Sequence, residues 1–240
     1  MIKSLVKKII PASLMHWRRR QIAAENQQRF ADKSVAETFR EVYENNIWGG
    51  AKGEFYSGEG STEKYSVKYA ETIKKFIVEN NVKTVVDLGC GDFRVGSKFV
   101  SDYFSYIGCD VVPSLIEYLN DKFAGEKVEF RCVNIVDDEL PDGDLCLIRQ
   151  VLQHLSNAEI EKVLLKARDK YKFLIITEHY PPPGAQFEPN LNIPHGPQVR
   201  THLNSAVVLD KPPFDLQNTE LLLDVEAEEK SRIKTFIIYH

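Results

Sequence analysis

The segment VVDLGCGD, residues 85–92, decides the fold of this chain. It begins as a short apolar run, carries an acidic side chain at Asp87 and ends in a Gly-x-Gly pair formed by Gly89 and Gly91. This order predicts a buried strand that enters a tight turn, where glycine lets the backbone approach a ligand that a Cβ atom would exclude. Ligands of open α/β sheets bind at the carboxyl ends of the strands, so this turn is the first candidate binding site.

Strand and helix patterns alternate on the C-terminal side of this segment. The strands are continuous apolar runs, which is typical of a parallel sheet with helices on both faces. Two further strand patterns near the end flank a charged turn and predict an antiparallel hairpin. The predicted strands are 84–88, 106–110, 128–133, 145–149, 172–177, 220–225 and 233–239, and the predicted helices are 35–47, 63–81, 95–104, 113–123 and 156–170.

Charge is unevenly distributed along the chain. The total is −4, from 31 basic and 35 acidic residues, but residues 1–30 hold seven basic residues against one acidic residue. A basic arm of +6 therefore precedes a body of −10, and an acidic body argues against nucleic-acid binding. The arm has apolar residues near helical spacing between its lysines, which suits contact with a membrane surface, packing on the domain or packing on a second subunit. Those residues are Ile2, Leu5, Val6, Ile9 and Ile10.

The cysteine pattern favours a reducing compartment. Cys90, Cys109, Cys132 and Cys146 lie at or beside apolar runs without a CxxC pair, so we expect buried free thiols in a cytoplasmic protein. No ligand cluster with zinc spacing is present, and no metal site is predicted. The first apolar run is too short and too charged for a secretory signal, and none reaches the roughly 18 residues that span a bilayer.

The glycine spacing and the acidic residues of this region distinguish between a dinucleotide and S-adenosylmethionine as the cofactor. The fingerprint Gly-x-Gly-x-x-Gly needs a third glycine at position 94, which is Arg94. Asp87 lies two residues before the first glycine, where a carboxylate repels a pyrophosphate but suits the ammonium group and sulfonium of S-adenosylmethionine (SAM). Asp110 follows Gly91 by nineteen residues, a spacing that favours hydrogen bonds to ribose hydroxyls, with a helix N-cap as the alternative.

Residues from about 80 to 236 resemble class I SAM-dependent methyltransferases. VVDLGCG, 85–91, resembles their motif I, and Asp110 matches the acidic residue that ends their second strand. Asp144–Gln150 resembles their fourth strand, and the terminal hairpin resembles their sixth and seventh strands. The resemblance implies an α/β fold with a Rossmann-like, seven-stranded, mostly parallel sheet.

The same resemblance assigns the cofactor site. It implies that Gly89 and Gly91 line the amino-acid portion of SAM, that Asn134 lies near the adenine, and that Gln150 and Val151 pass beneath the methionine moiety. The full expected set of cofactor residues is Trp48, Ser57, Asp87, Gly89, Cys90, Gly91, Asp110, Val111, Asn134, Ile135, Gln150 and Val151.

Residues N-terminal to this region resemble one subgroup of these methyltransferases. YENNIWG, 43–49, and SGEGS, 57–61, resemble bacterial methyltransferases of polysaccharide, capsule and O-antigen biosynthesis. This likeness implies that the loop at Trp48 folds over the cofactor, whereas the plainer interpretation makes Trp48 a core anchor. We therefore expect residues 1–62 to form a basic arm, a helix and a cofactor-covering loop, and residues 63–240 to form the methyltransferase domain, with an acceptor loop at 179–218.

The acceptor side offers several candidate groups. A hydroxyl acceptor needs a general base within hydrogen-bond reach, and the candidates are His154, Glu178, His179 and His195. Of these, Glu178, His179 and His195 are the predicted catalytic residues. Asn192, Arg200 and His154 are the predicted substrate-binding residues, although His154 also fits a structural role and His195 also fits a solvated loop.

The leading functional hypothesis is an O-methyltransferase acting on a sugar or nucleotide-linked sugar in surface-glycan synthesis. A small-molecule N-methyltransferase and a non-catalytic SAM-binding protein are the alternatives, and an NAD-binding protein fits the glycine spacing less well. The expected partner is a small carbohydrate acceptor rather than nucleic acid. Peripheral membrane contact by a cytoplasmic protein and homo-oligomerisation are both compatible with the sequence.

Overall fold

The computed structural model describes residues 12–239, which contain five α-helices and nine strands. The helices are α1 (Ala12–Phe30), α2 (Val35–Glu44), α3 (Glu63–Glu79), α4 (Pro113–Phe123) and α5 (Asn157–Lys170). The strands are β1 (Thr84–Leu88), β2 (Ser105–Asp110), β3 (Val128–Cys132), β4 (Leu145–Arg149), β5 (Phe173–Tyr180), β6 (Glu188–Pro189), β7 (Ser205–Ala206), β8 (Thr219–Glu226) and β9 (Arg232–Ile238).

Seven strands form one sheet in the order β3-β2-β1-β4-β5-β9-β8. The first five are parallel, and β9 runs antiparallel to both of its neighbours. Every residue of β1 from Val85 to Leu88 is buried. Because successive side chains of a strand point to opposite faces, this burial means that both faces of the sheet are covered. The predicted α/β fold with a C-terminal antiparallel hairpin is confirmed.

Local sequence signals define the helix starts. Ser156 and Glu159 form the predicted capping box at α5, and Ser34 with Glu37 forms a second one at α2. In each, the serine hydroxyl accepts from the backbone of the glutamate while the glutamate side chain accepts from the serine backbone. Pro113 occupies the first turn of α4, where its missing N–H costs nothing.

The helix predicted at 95–104 is wrong. The chain there forms turns and one short 3₁₀ helix, Gly96–Lys98. Gly96 has room for no side chain, since a Cβ atom would lie 2.6 Å from the Tyr106 hydroxyl and 2.8 Å from the Phe93 ring. This close approach, together with the low helix propensity of glycine, favours a compact turn at this position.

The expectation that all four cysteines are buried is wrong for one of them. Cys90, Cys109 and Cys146 are buried free thiols, whereas Cys132 is exposed at the end of β3. β3 is an edge strand of the sheet, and only Phe130 of its five residues is buried. An apolar run at a sheet edge therefore does not ensure burial on both faces.

Only part of the basic arm, residues 1–30, lies within the described residues. Its first apolar run, from Ile2 to Ile10, lies outside the described residues, so the helical interpretation of that run stays a prediction. The following segment forms α1, which Ala23 and Phe30 attach to the domain by their burial. No helix within residues 12–239 is long and apolar enough to cross a membrane.

Candidate functional site

The turn after β1 has a backbone that only glycine accommodates. Gly89 and Gly91 have φ values of +80° and +56°. A Cβ atom on Gly89 would lie 2.3 Å from Val151 Cγ2, and one on Gly91 would lie 2.3 Å from Ser57 Oγ. The backbone N–H groups of Gly89 and Cys90 both donate to the Cys109 carbonyl, at 2.8 and 2.9 Å. The turn is thus fixed against the end of β2 with its open side towards a cavity.

Two buried carboxylates stand beside this turn. Asp110 Oδ2 accepts from Gly91 N at 3.2 Å, and Asp110 Oδ1 accepts from Val112 N at 3.2 Å. Asp87 Oδ2 accepts from the Tyr106 hydroxyl at 2.7 Å. Burial raises the pKa of each carboxyl group to about 6. Each carboxylate oxygen has a second lone pair, so both groups retain acceptor capacity for a cationic or hydroxylated ligand.

Cation binding at these carboxylates is expected to depend on pH. A cationic ligand such as SAM favours the ionised forms of Asp87 and Asp110, and at about pH 5 a group of pKa about 6 is only about one-tenth ionised. We therefore expect the Kd for SAM to rise at least about tenfold from about pH 7.5 to about pH 5. Titration calorimetry across this range measures it. In Asp110→Asn only Asp87 of the two carboxylates titrates, so the Kd should rise less steeply as the pH falls. If the Kd of the wild type depended on pH as weakly as that of the variant, a role of Asp110 in binding the cation would be contradicted.

The segment after β4 turns sharply into the same cavity. Gln150 adopts φ +57°, and its backbone N–H donates to Thr177 O at 2.7 Å. Glu178 then accepts from the backbone N–H groups of Leu152 and Gln153, at 3.0 and 3.2 Å. These bonds fix the backbone of residues 150–154, and four of those five residues line the cavity: Gln150, Val151, Gln153 and His154.

His154 is a neutral imidazole in the cavity wall. Burial lowers its pKa to about 4. Nδ1 lies 3.2 Å from the Gln198 carbonyl, which can only accept, so Nδ1 carries the proton. The unprotonated Nε2 lies 3.5 Å from Gln153 Nε2, at the long limit of a hydrogen bond in which Nε2 accepts. The ring centroids of His154 and Trp48 are 5.1 Å apart. A fixed tautomer with an unprotonated Nε2 is the arrangement that a general base requires.

The loop between α2 and α3 covers the cavity and is bonded to both of its sides. Ser57 N donates to Asp92 Oδ2 at 3.0 Å, and Asp92 N donates to Ser57 Oγ at 2.8 Å. Trp48 Nε1 donates to the Pro197 carbonyl at 3.1 Å. Arg149 Nη2 donates to Gly60 O at 2.7 Å. We call residues 48–62 the cap; it joins the glycine turn to the loop after β5.

The cavity brings together all twelve expected cofactor residues, from Trp48 of the cap to Val151 after β4. His154, one of the three expected substrate-binding residues, lies in the same wall. The free space is about 1030 Å³ including the open mouth. Sequence reasoning missed other lining residues that carry polar groups, namely Tyr43, Ser61, Tyr69, Asp92, Arg149 and Gln153.

The predicted catalytic residues lie outside the lining of this cavity. His195 Nδ1 contacts Glu159 Oε1 at 2.7 Å, and its Nε2 contacts the Lys33 carbonyl at 2.9 Å, so both ring nitrogens are engaged. His179 Nε2 contacts the Ser231 hydroxyl at 2.8 Å. Neither histidine lines the cavity, nor does Glu178, whose two oxygens accept backbone N–H groups. These three side chains stabilise the fold around the site.

Two predicted substrate-binding residues also have structural partners. Arg200 is completely buried and donates to the carbonyls of Leu191 and Leu155 and to Asn157 Oδ1. Asn192 Oδ1 accepts from Asn157 N at 3.0 Å. Both side chains hold the loop after β5 against the start of α5. Pro189, Pro194 and Pro197 lie near these two residues in sequence. Proline removes backbone donors, so side chains such as these order the loop.

The lining fits SAM in charge and in hydrogen-bonding capacity. Asp87 and Asp110 supply buried negative charge for a ligand that carries an ammonium group and a sulfonium. Gln150 Nε2, Gln153 Oε1 and Arg149 Nε are buried in this lining without a hydrogen-bond partner. Because unsatisfied buried polar atoms are costly, a ligand that carries both donors and acceptors would be stabilised here. Within residues 12–239, no group of three His, Cys, Asp or Glu side chains is placed to hold a metal ion.

Residues 85–172 match a protein family described as a methyltransferase domain. The matched range starts in β1 and ends just before β5, so it includes the glycine turn, Asp110 and the segment that carries His154. No curated protein sequence matches the chain significantly.

Solved structures of low sequence identity share the fold. The 1,6-didemethyltoxoflavin-N1-methyltransferase of Burkholderia thailandensis, with 1,6-didemethyltoxoflavin and S-adenosylhomocysteine (SAH) bound, has a TM-score of 0.53 and 13% identity, over 86% of this chain and 88% of that one. The N-terminal domain of EvdMO1, solved in the presence of SAH and D-fucose, has a TM-score of 0.52 and 13% identity, over 86% and 97%. The N-methyltransferase NodS of Bradyrhizobium japonicum WM9, in complex with SAH, has 0.51 and 10%, over 75% and 89%.

Proposed function

We propose that this SAM-dependent methyltransferase transfers its methyl group to a hydroxyl of a sugar or nucleotide-linked sugar in surface-glycan biosynthesis. The observation that carries the proposal is His154, a neutral imidazole in the cavity wall with Nδ1 bonded to a backbone carbonyl. A hydroxyl oxygen is a weak nucleophile until a base removes its proton, whereas an amine attacks through its own lone pair. A fixed base at the cavity therefore favours an oxygen acceptor.

The reaction is an in-line displacement. The cofactor supplies an electrophilic methyl group on its sulfonium. With the cofactor and acceptor bound, His154 Nε2 would accept the proton of the acceptor hydroxyl and return it to solvent. The protein positions the two reactants, and the cap excludes water from the gap between them.

A mixed polar and aromatic wall supports a sugar as the acceptor. Trp48, Phe39 and Tyr43 offer ring faces, while Gln153 and Ser61 offer polar groups at the same cavity. Sugars expose both C–H surface and hydroxyl groups, so such a wall suits them. Of the two segments that resemble polysaccharide methyltransferases, 57–61 lies within the cap and 43–49 leads into it. The solved structure of the EvdMO1 domain in the presence of D-fucose is compatible with this acceptor class.

The same contacts suggest a role for each part of the chain. We assign cofactor binding to the twelve residues that the sequence predicts for it and that line the cavity. We assign proton acceptance to His154 in place of Glu178, His179 and His195. Residues 1–62 act as arm and cap, and 63–240 as the catalytic domain, with the loop 179–218 supplying the Pro197–Gln198 wall. We also propose a cytoplasmic location.

Methyl transfer to a panel of acceptors tests the function. The purified protein is incubated with SAM labelled in its methyl group, with nucleoside diphosphate sugars, free hexoses and matched primary amines. We expect label in a sugar as a base-stable ether, with its position read by mass spectrometry and NMR. Methylation of the amines alone would overturn the oxygen assignment. SAH binding without transfer to the panel would support a non-catalytic SAM-binding protein.

A further inference from the structure

Arg149, the last residue of β4, lines the cavity beside the glycine turn. The parallel register pairs Leu88 of β1 with Ile148 of β4, so the residue that follows in β4 is next to the start of the turn. Asp110 ends β2, which lies on the other side of β1 in the sheet. A ligand whose ribose is bound at Asp110 and whose chain crosses the turn therefore extends towards Arg149.

The Arg149 side chain has hydrogen-bond donors that the described chain does not use. A guanidinium carries about five N–H donors. Among residues 12–239, the side chain makes one hydrogen bond, from Nη2 to Gly60 O of the cap at 2.7 Å. Nε is buried without a partner. The Cζ atom lies 5.1 Å from the centroid of the Tyr69 ring, which supports the planar group from one face. The guanidinium is thus held in position while most of its donors remain free for a ligand.

The positive charge of Arg149 has no direct ion pair within residues 12–239. Asp87 and Glu178 attract the guanidinium, but neither forms a salt bridge with it. Asp87 accepts from the Tyr106 hydroxyl, and Glu178 accepts from backbone N–H groups. Burial lowers the pKa of Arg149, which reflects the cost of removing this cation from water. An anionic group bound at the guanidinium would offset that cost.

Asp87 and Arg149 present opposite charges to the same cavity. An α-amino acid carries its ammonium group and its carboxylate on one carbon, so it requires this combination of charges. We propose that the Arg149 guanidinium binds the α-carboxylate of SAM, while Asp87 faces the ammonium group. A planar guanidinium suits a carboxylate because its N–H groups can donate to both oxygens. The same side chain holds Gly60, so Arg149 fixes both the cofactor and the cap. The proposal depends on SAM as the cofactor but not on the identity of the acceptor.

Calorimetric titration of the full-length protein with two ligands tests the proposal. SAH carries the carboxylate, whereas decarboxylated SAH keeps the amine and the adenosine and lacks only the carboxylate. We expect the wild type to bind decarboxylated SAH at least about tenfold more weakly than SAH, which is the effect of losing one hydrogen bond between charged groups. Equal affinities of the wild type for the two ligands would overturn the proposal, and this comparison needs no variant.

Variants then assign the carboxylate to Arg149. Arg149→Met should bind SAH at least about tenfold more weakly but decarboxylated SAH within about threefold of the wild type, which also shows that the variant is folded. Arg149→Lys, which keeps the charge, should restore part of the preference for SAH. Asp110→Asn is the control, because its contact with the ribose is common to both ligands and both affinities should fall together. Equal losses for both ligands in Arg149→Met would overturn the proposal and limit Arg149 to holding the cap. Unchanged SAH affinity would also overturn it and leave the guanidinium for an anionic group of the acceptor.

Discussion

Replacing His154 by glutamine is expected to lower kcat roughly 10²- to 10³-fold while SAH affinity stays within about twofold. General-base catalysis contributes about 10²- to 10⁴-fold, and glutamine cannot accept the proton of a hydroxyl acceptor. Glutamine can still donate to the Gln198 carbonyl in place of Nδ1, so the cavity wall should remain in position. Steady-state methyl transfer and SAH titration on the same preparation measure the two quantities.

His179→Gln is the matched control for this prediction. His179 is a neutral, half-buried imidazole whose pKa is also lowered to about 4 by desolvation, but it contacts Ser231 and does not line the cavity. We expect kcat within about threefold of wild type, because general-base catalysis would be lost only where the base faces the acceptor. An unchanged kcat in His154→Gln, or equal losses in the two variants, would remove His154 from the mechanism.

Replacing Arg200 by methionine is expected to lower the free energy of unfolding by roughly 3–5 kcal/mol, the cost of breaking a buried charged network by removing one partner. The change leaves the carbonyls of Leu191 and Leu155 without this donor and removes the cation that favours ionised Glu178. Methionine has a similar length, so lost hydrogen bonds rather than an empty cavity dominate. Urea unfolding followed by circular dichroism measures the change.

Arg168→Met serves as the control, because Arg168 is exposed on α5. We expect a change within about 0.5 kcal/mol there. If Arg200→Met were equally mild, Arg200 would be available for substrate binding and the loop after β5 would be ordered by other contacts, such as the Asn190 side chain that donates to the carbonyls of Val208, Lys211 and Pro212.

The sheet could be predicted from sequence because its strands are buried on both faces, which leaves uninterrupted apolar runs such as LCLI in β4. The region around Gly96 could not, because the apolar spacing of Val95, Phe99 and Val100 fits a helix as well as a turn. The side chains of Phe93 and Tyr106 decide between them by filling the space that a Cβ atom would need. Tyr106 belongs to the following strand, β2, so its contact with Gly96 is not visible in the apolar spacing of residues 95–104.

The cofactor side of the site was predictable for a related reason. The backbone geometry at the ends of β1 and β2 restricts which residue types can occupy positions 89, 91 and 110. The spacing of Gly89, Gly91 and Asp110 is therefore recognisable in the sequence. The acceptor side depends on where loop side chains find partners. The sequence predicts His195 as a general base, but its two ring nitrogens contact Glu159 and the Lys33 carbonyl. These partners lie 36 and 162 residues away, so local sequence does not reveal them.

Cofactor binding at the cavity is tested most directly by calorimetric titration of SAH into the wild type and Asp110→Ala. We predict one site of micromolar affinity in the wild type and a loss of at least about 100-fold in the variant, since hydrogen bonds to a charged group contribute about 1.5–3 kcal/mol each. Asp121→Ala, at an exposed carboxylate of α4, should bind like the wild type. Absence of SAH binding while NAD binds, or equal affinity in Asp110→Ala and wild type, would contradict the assignment of this cavity to SAM.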